Sequence, residues 1–462
     1  MSSSAEENTS LVAADSHPNS HAIDTVVDYN RLIIALDFGT TYSSVSYTSI
    51  PAGVASDSIL RRNIKLISSY PSIVDHGARD GMQNEVPTEA IYPLDPSFRD
   101  RDALIRSRDE SEFQLAADND EESETDSVDN NLALLRALHD EEEEPPLMDT
   151  PDEYSWGYHV HRRWEHAATH SDPNNLPLAR FKLLLDDSPQ TAEIRTLKKN
   201  GIITGYQDVI ADYLTYLLDH VRSQLREFDN SWVREMVLCV PAIWKPRACR
   251  EMQTCLAVAM RRAGFPGVNP TTNTIERLFI TSESENAAEF ADTDHVKSKQ
   301  CFTLVDAGGG TNDVHTYRVT CEEPVRLEHE VVPPDGSLDG SSYINEDFRG
   351  WLLDKLDDET YLEATYGSIN ALVEIIMSEH FERRIKRNFD VFSEWPQRIE
   401  IPINGLQEDR NLGFEPDLLV VTETVLKNMF FKRLDSIWKL VESQLDQAAA
   451  KGIAVEVSSP HI

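Results

Sequence analysis

Residues 31–47 read RLIIALDFGTTYSSVSY. An apolar run from Leu32 to Leu36 leads into Asp37-Phe38-Gly39-Thr40-Thr41, and alternating residues follow through Val45 and Tyr47. A short apolar run bounded by Gly and Thr predicts a buried strand, and the alternation after it predicts a second. The turn between them carries one carboxylate, one glycine and two hydroxyls. Such a turn can bring backbone N–H groups and a metal-binding acid against a phosphate. Residues 301–317, CFTLVDAGGGTNDVHTY, repeat the grammar, with Asp306 heading a turn of Gly308, Gly309, Gly310 and Thr311. Two such turns far apart in one chain predict two related lobes facing one polyphosphate.

The chain is long enough, at 462 residues, for about three domain-sized units and a substantial core. Residues 1–29 are rich in Ser, Glu, Asp and Asn, which predicts a disordered tail, and they lack the basic start and apolar run of a signal peptide. No apolar run is long enough to cross a bilayer, so no membrane partner is expected. Five cysteines without a CxxC pair fit a reducing setting, the cytoplasm or nucleus. Net charge is −37, and residues 109–153 hold eighteen acids against the single Arg136. Nucleic acid is excluded as a partner by this balance, because phosphate binding needs concentrated Lys and Arg. The acidic stretch, about 103–153, cannot bury enough surface to offset its ordering entropy and reads as a disordered insertion. Within it, LALLRAL at 132–138 has the makings of one or two helical turns.

Beyond the first hairpin, residues 60–69 alternate like a strand, and 86–92 form an edge strand interrupted by Pro87. Residues 206–228 carry apolar side chains at spacings of three and four, predicting a helix with one buried face. Residues 236–240 predict a buried strand ending in Pro241-Ala242, and a second helix starts at Pro246 and stops at Gly264. A strand at 278–281 leads into a small-residue helix start at 282–288. Residues 343–356, 369–389 and 421–447 are helical by period. His159, His161 and His166 have a spacing that a metal could use, but Arg162, Arg163 and Trp164 among them favour surface and packing roles.

With both turns, Val240-Pro241-Ala242 and the helix start in this order, residues 31 to about 450 resemble the 70-kDa heat-shock chaperone superfamily. The likeness is to a divergent fungal branch similar to the heat-shock protein 12A type. The resemblance implies an α/β fold of the actin-like (ribonuclease H-like) two-lobed ATPase kind. Lobe I would span residues 30–298, containing the acidic insertion, and lobe II residues 299–462. It also implies ATP or ADP with Mg²⁺ as ligands, a chaperone-like weak ATPase activity, and client or co-chaperone proteins as partners. LDFGTTYSSV is similar to the family's first phosphate motif and LVDAGGGTNDV to its second. By that likeness Gly39, Thr40, Thr41, Tyr42, Gly308, Gly309, Gly310 and Thr311 hold the nucleotide, and Asp37 and Asp306 serve the metal. Thr311, Asp313 and Glu283 orient water or the metal shell, and Lys182 stands where the family places a lysine. No GxxxxGK[ST] is present, which excludes a Walker-type site.

The physical logic agrees with these roles. Mg²⁺ keeps several waters, so two carboxylates on facing lobes can hold the hydrated ion. Three glycines allow close backbone approach to phosphate oxygens. Hydrolysis needs an in-line water and a cation for the developing charge.

The chain also departs from the pattern. The family's Glu-Pro-Thr is Glu283-Ser284-Glu285, and Glu382 and Lys386 are four apart where the family's Glu and Lys are three apart. Residues 451–457 read as entry to a strand that in the family continues into a Gly-Gly-Phe-Gly adenosine motif, whereas here Ser458-Ser459-Pro460-His461-Ile462 follow. The resemblance therefore implies a truncated second lobe. Two other functions stay open on the sequence: a non-catalytic interaction module on an incomplete ATPase fold, and a small-metabolite kinase on the same fold.

Overall fold

The computed structural model describes residues 27–56, 59–71, 84–93, 95–102, 104–105, 153–164, 177–185, 191–241, 243–283, 298–322, 325–327, 331–393 and 398–455. The N-terminal residues 1–26, nearly all of the acidic insertion with its 132–138 segment, His166, most of the 282–288 helix start and residues 456–462 lie outside them. No helix among the described residues is long and apolar enough to cross a membrane.

Two strands, Arg31–Phe38 (β1) and Tyr42–Ile50 (β2), form the first hairpin in antiparallel register from Arg31↔Ile50 to Phe38↔Ser43. Side chains on a strand alternate between faces, so Leu32, Ile34, Leu36 and Phe38 all enter the core, each no more than 1% exposed. The partner on the other side of β1 is Val233–Val240, which pairs with it in parallel, and Leu278–Ser282 extends that parallel run. Parallel neighbours need crossover helices, and two supply them: Tyr206–Gln224 and Pro246–Arg262. Tyr206–Gln224 buries Val209, Ile210, Tyr213, Leu214, Leu217, Leu218 and Val221 as its period predicts. Its start is fastened by Asp208, whose Oδ2 accepts from the Thr204 amide at 2.6 Å. Pro246 opens the second helix, and Gly264, at φ +74°, lies just past its end.

The second hairpin, Cys301–Ala307 with Asn312–Glu322, copies the first. Both close across four residues, 39–42 after Phe38↔Ser43 and 308–311 after Ala307↔Asn312. In each, the returning strand is joined near the turn by one short strand and farther along by another. Glu85–Pro87 and Lys65–Leu66 do this for β2, and Asp335–Ser337 and Val325–Leu327 do it for Asn312–Glu322. Matching pairings, not only matching motifs, make the two halves equivalent. Asp37 thus corresponds to Asp306, Tyr42 to Thr311, and Ser44 to Asp313.

The lobes have separate cores. The first is built on β1, the two crossover helices and Tyr92, Phe98 and Phe181. The second gathers Phe348, Phe381, Phe414, Leu419 and Leu426 from helices Ser342–Leu356, Ile376–Ile385 and Glu423–Ala450 and from a three-stranded sheet. The strand order of the first lobe, Lys65–Leu66, β2, β1, Val233–Val240, Leu278–Ser282, is the ribonuclease H-like arrangement. The fold is the two-lobed actin-like one.

Several elements differ from the sequence reading. Residues 60–69 hold only the strand Lys65–Leu66. Ahead of it, Arg61–Asn63 is a short 3-10 turn, because the Asn63 side chain accepts from the Leu60 amide at 3.0 Å and curls the chain. Residues 86–92 split at Thr88 rather than at Pro87. Glu85–Pro87 joins β2 while Glu89–Ile91 joins a different sheet, and the Thr88 amide bonds instead to Thr41. The helix expected at 369–389 is present but widens to a π-helix over Ile376–Ile385. Residues 451–455 form a turn and then a non-strand stretch.

Candidate functional site

The two turns meet. A β-carbon added to Gly309 would come within 2.4 Å of Thr41 Oγ1, and one added to Gly310 within 2.5 Å of Thr40 Cγ2. The glycines are required by contact between the lobes, each backbone packing against a threonine of the other turn. Gly39 is required for a local reason, since its β-carbon would strike the Tyr42 carbonyl at 2.0 Å.

Each turn is held from behind. The Thr41 carbonyl accepts from Thr88 N at 2.8 Å, and Ser43 Oγ and Thr88 Oγ1 lie 2.8 Å apart in the core. The second turn is braced by 340–342. Gly340 N donates to Gly310 O at 3.1 Å, Ser341 N to Gly308 O at 2.9 Å, and Ser342 N to Gly309 O at 2.8 Å. Because a peptide's C=O and N–H point in opposite directions, the N–H groups of Gly309, Gly310 and Thr311 face away from this brace. Asn312 completes the support, its Nδ2 donating to Asp339 O at 2.9 Å. The sequence reading missed the 339–342 brace. Its one local sign is the small-residue run Asp339-Gly340-Ser341-Ser342 ahead of a helix.

Four carboxylates and one ammonium share the cleft below the turns. Lys182 Nζ donates to Glu283 Oε1 at 2.7 Å and lies 5.5 Å from the Trp244 ring centre. Lys182 is buried. Asp37 opens onto the cleft, yet desolvation between its walls and the nearby Glu283 push its carboxyl up to about 6, with Lys182 opposing and Asp306 adding. Asp306 is raised by desolvation and Glu283. Asp313, only 3% exposed, is pushed up to about 7 by burial, then by Glu283 and Asp306, while a hydrogen bond from Thr311 pulls the other way. Asp313 Oδ1 is buried without a hydrogen-bond partner. Carboxylates that raise one another in this way, one of them with an unpaired buried oxygen, mark a candidate binding site.

The structure therefore brings together Asp37, Gly39, Thr40, Thr41, Tyr42, Lys182, Glu283, Asp306, Gly308, Gly309, Gly310, Thr311 and Asp313. Of the three histidines, His161 is engaged by Glu89 at 3.1 Å, and His166 lies outside the described residues. Glu382 and Lys386 pair with each other at 3.2 Å, and Asn345 donates to Glu382 at 2.7 Å. A cavity of about 740 Å³ opens beside the first turn, between Thr41, Tyr42 and Arg180 on one side and Tyr343, Arg349 and Glu382 on the other. That volume suits a small organic ligand.

No protein-family model matches the chain, and no curated protein matches it. Among solved structures, the chain is similar to MreB5 of Spiroplasma citri bound to ADP, at 13% identity and a TM-score of 0.41, over 92% of this chain and 84% of that one. The actin-like fold is carried by the strand order and the twin hairpins.

Proposed function

We propose that this chain binds ATP between its two turns and hydrolyses it slowly, as a chaperone-like ATPase of the 70-kDa heat-shock type. The convergence of two equivalent aspartate-headed turns on one carboxylate–lysine cluster carries this reading. N–H groups of Gly309, Gly310 and Thr311 on one side, and the Gly39–Tyr42 turn on the other, would hold the β- and γ-phosphates. Thr311, Asp313 and Glu283 would orient the attacking water. Lys182, fixed by Glu283 and Trp244, would offset charge developing on the transferred phosphoryl group.

Mg²⁺ fits this donor set. Asp37, Asp306 and Asp313 supply hard oxygen donors, and Asp313 Oδ1 lacks a partner. Among the described residues no three or more His, Cys, Asp or Glu are grouped closely enough to hold a bare ion. The carboxylates would therefore hold it through its water shell. Bound there, the ion neutralises phosphate charge. Client or co-chaperone proteins in the cytoplasm are the partners this reading entails.

Calorimetric titration of the folded chain with Mg-ATP tests the proposal. Saturable binding with substrate-independent slow hydrolysis supports it, and no binding by folded protein overturns it. ATP consumption that depends on an added sugar or acid would point instead to a metabolite kinase.

A further inference from the structure

Residues 60–66, LRRNIKL, are all exposed. They hold the 3-10 turn Arg61–Asn63 and the strand Lys65–Leu66, which stands at one end of the first lobe's sheet. Leu60, Ile64 and Leu66 are each about half exposed, at 50%, 51% and 50%. Arg61, Arg62 and Lys65 lie among them, and no acid occurs from Ile59 to Ser69. Lysine and arginine on a sheet edge guard it against pairing with another chain. A guard has no use for three large aliphatic side chains in water, and a basic strip is out of keeping with a chain of net charge −37. The mixture matches a partner that is both acidic and apolar.

We propose that the strip 60–66 is a docking site for this chain's own segment 132–144, LALLRALHDEEEE. That segment sets four leucines directly before five consecutive acids, Asp140–Glu144, and so offers both halves of the required chemistry. Its place in the chain favours it over a separate partner. The acidic insertion leaves the described first lobe after Ile105 and rejoins it at Glu153. Both roots are fastened to Tyr216 of helix Tyr206–Gln224, whose hydroxyl donates to Asp102 and whose ring lies 5.0 Å from that of Tyr154. One turn along the same helix, His220 Nε2 lies 3.1 Å from the Ser68 carbonyl, and its ring is 4.9 Å from that of Tyr70. Four helical residues span about 6 Å, so the insertion begins and ends beside the anchor of the strip. A tether of this kind supplies an effective concentration of about 1 mM, and an intrinsic affinity of about 100 µM then keeps the strip mostly covered. The proposal is independent of the nucleotide reading.

The test uses a fluorescent peptide of residues 129–148, the full chain, and a variant whose residues 106–152 are replaced by a Gly-Ser linker of equal length. Fluorescence anisotropy should show the peptide binding the linker variant, and the full chain at least tenfold more weakly because its strip is already covered. Adding Arg61→Glu, Arg62→Glu and Lys65→Glu to the linker variant should weaken binding by at least tenfold. Arg62→Glu alone, at an exposed position, carries this arm with a loss of about threefold if the triple variant does not fold. Equal binding by the full chain and the linker variant overturns the internal occupant. No binding by the linker variant, or binding indifferent to the charge reversals, overturns the docking site. Attachment of the linker variant to phosphatidylserine vesicles without peptide binding would make the strip a membrane-facing surface and likewise overturns the proposal. Should the linker variant not fold, benzoylphenylalanine at position 62 of the full chain decides it. A photo-crosslink to residues 132–144 supports the docking, and a crosslink elsewhere or none overturns it.

Discussion

Lys182 Nζ lies 2.7 Å from Glu283 Oε1, with Trp244 beside the ammonium and three aspartates around the pair. The lysine is therefore the counter-charge within this carboxylate cluster, and under the proposed function it is also the cation offered to a phosphate.

Lys182→Met should destabilise the protein by about 3 kcal/mol, because it leaves Glu283 among like charges without its partner. Lys182→Met combined with Glu283→Gln should recover most of that loss while hydrolysis stays abolished. Urea denaturation and single-turnover rates check the two halves. Equal destabilisation by the single and double variants would show that packing, not charge, is what Lys182 contributes.

The raised aspartates set a pH dependence whose sign is fixed. Asp37 and Asp313 have folded values near 6 and 7, above the ordinary carboxylate range. The folded state then holds more protons than the unfolded one, so stability present below about pH 4 is lost as pH rises through 6 and 7. Thermal unfolding of the ligand-free chain should fall across this window, and Asp313→Asn should flatten the fall. An Asp313→Asn profile parallel to wild type would show that the buried carboxylate does not titrate there.

Gly340→Ala should loosen the second turn. The added β-carbon would meet Gly309 C at 2.5 Å and Gly308 O at 2.6 Å, so the brace must shift. A stability loss of about 1–3 kcal/mol is expected, together with at least tenfold weaker nucleotide binding by calorimetry. Gly350→Ala, ten residues on and inside the helix Ser342–Leu356 with nothing within 4 Å of the new carbon, should instead stabilise by about 1 kcal/mol. The pair separates a clash at the brace from a general effect of replacing glycine in this part of the lobe.

Thr311→Ala should slow hydrolysis more than it weakens binding. Its hydroxyl bonds to Asp313, the least exposed carboxylate of the cluster, whereas the turn closes through backbone atoms, Gly308 N to Thr311 O at 2.9 Å. Comparable losses in affinity and rate would reduce Thr311 to a shaper of the turn.

The hairpins were legible because their information is local. A strand, an acid, small residues and a second strand lie within seventeen consecutive residues, and period-2 burial places Leu32, Ile34, Leu36 and Phe38 without reference to the rest of the chain. The two crossover helices were legible for the same reason, through spacing and the stop at Gly264. What lay hidden depends on partners distant in sequence. The small-residue run around Gly340 does not say that its amide will reach Gly310, and nothing near Arg180 announces that its side chain will reach Tyr343 and Glu346. The split at Thr88 was missed because its amide has a better acceptor in Thr41 than any continued strand would supply. The 3-10 turn at Arg61–Asn63 was missed because one asparagine side chain overrides the alternation of its neighbours.

The contact of Thr41 with Gly309 and of Thr40 with Gly310 has a kinetic consequence. With the turns touching, a phosphate chain cannot slide between them; it must wait for them to part. Capture should then be limited by how often the gap appears, not by how often ligand collides. The observed association rate should climb with nucleotide concentration and then level off at the frequency of that opening, a ceiling that replacing Thr40 and Thr41 by smaller residues would raise.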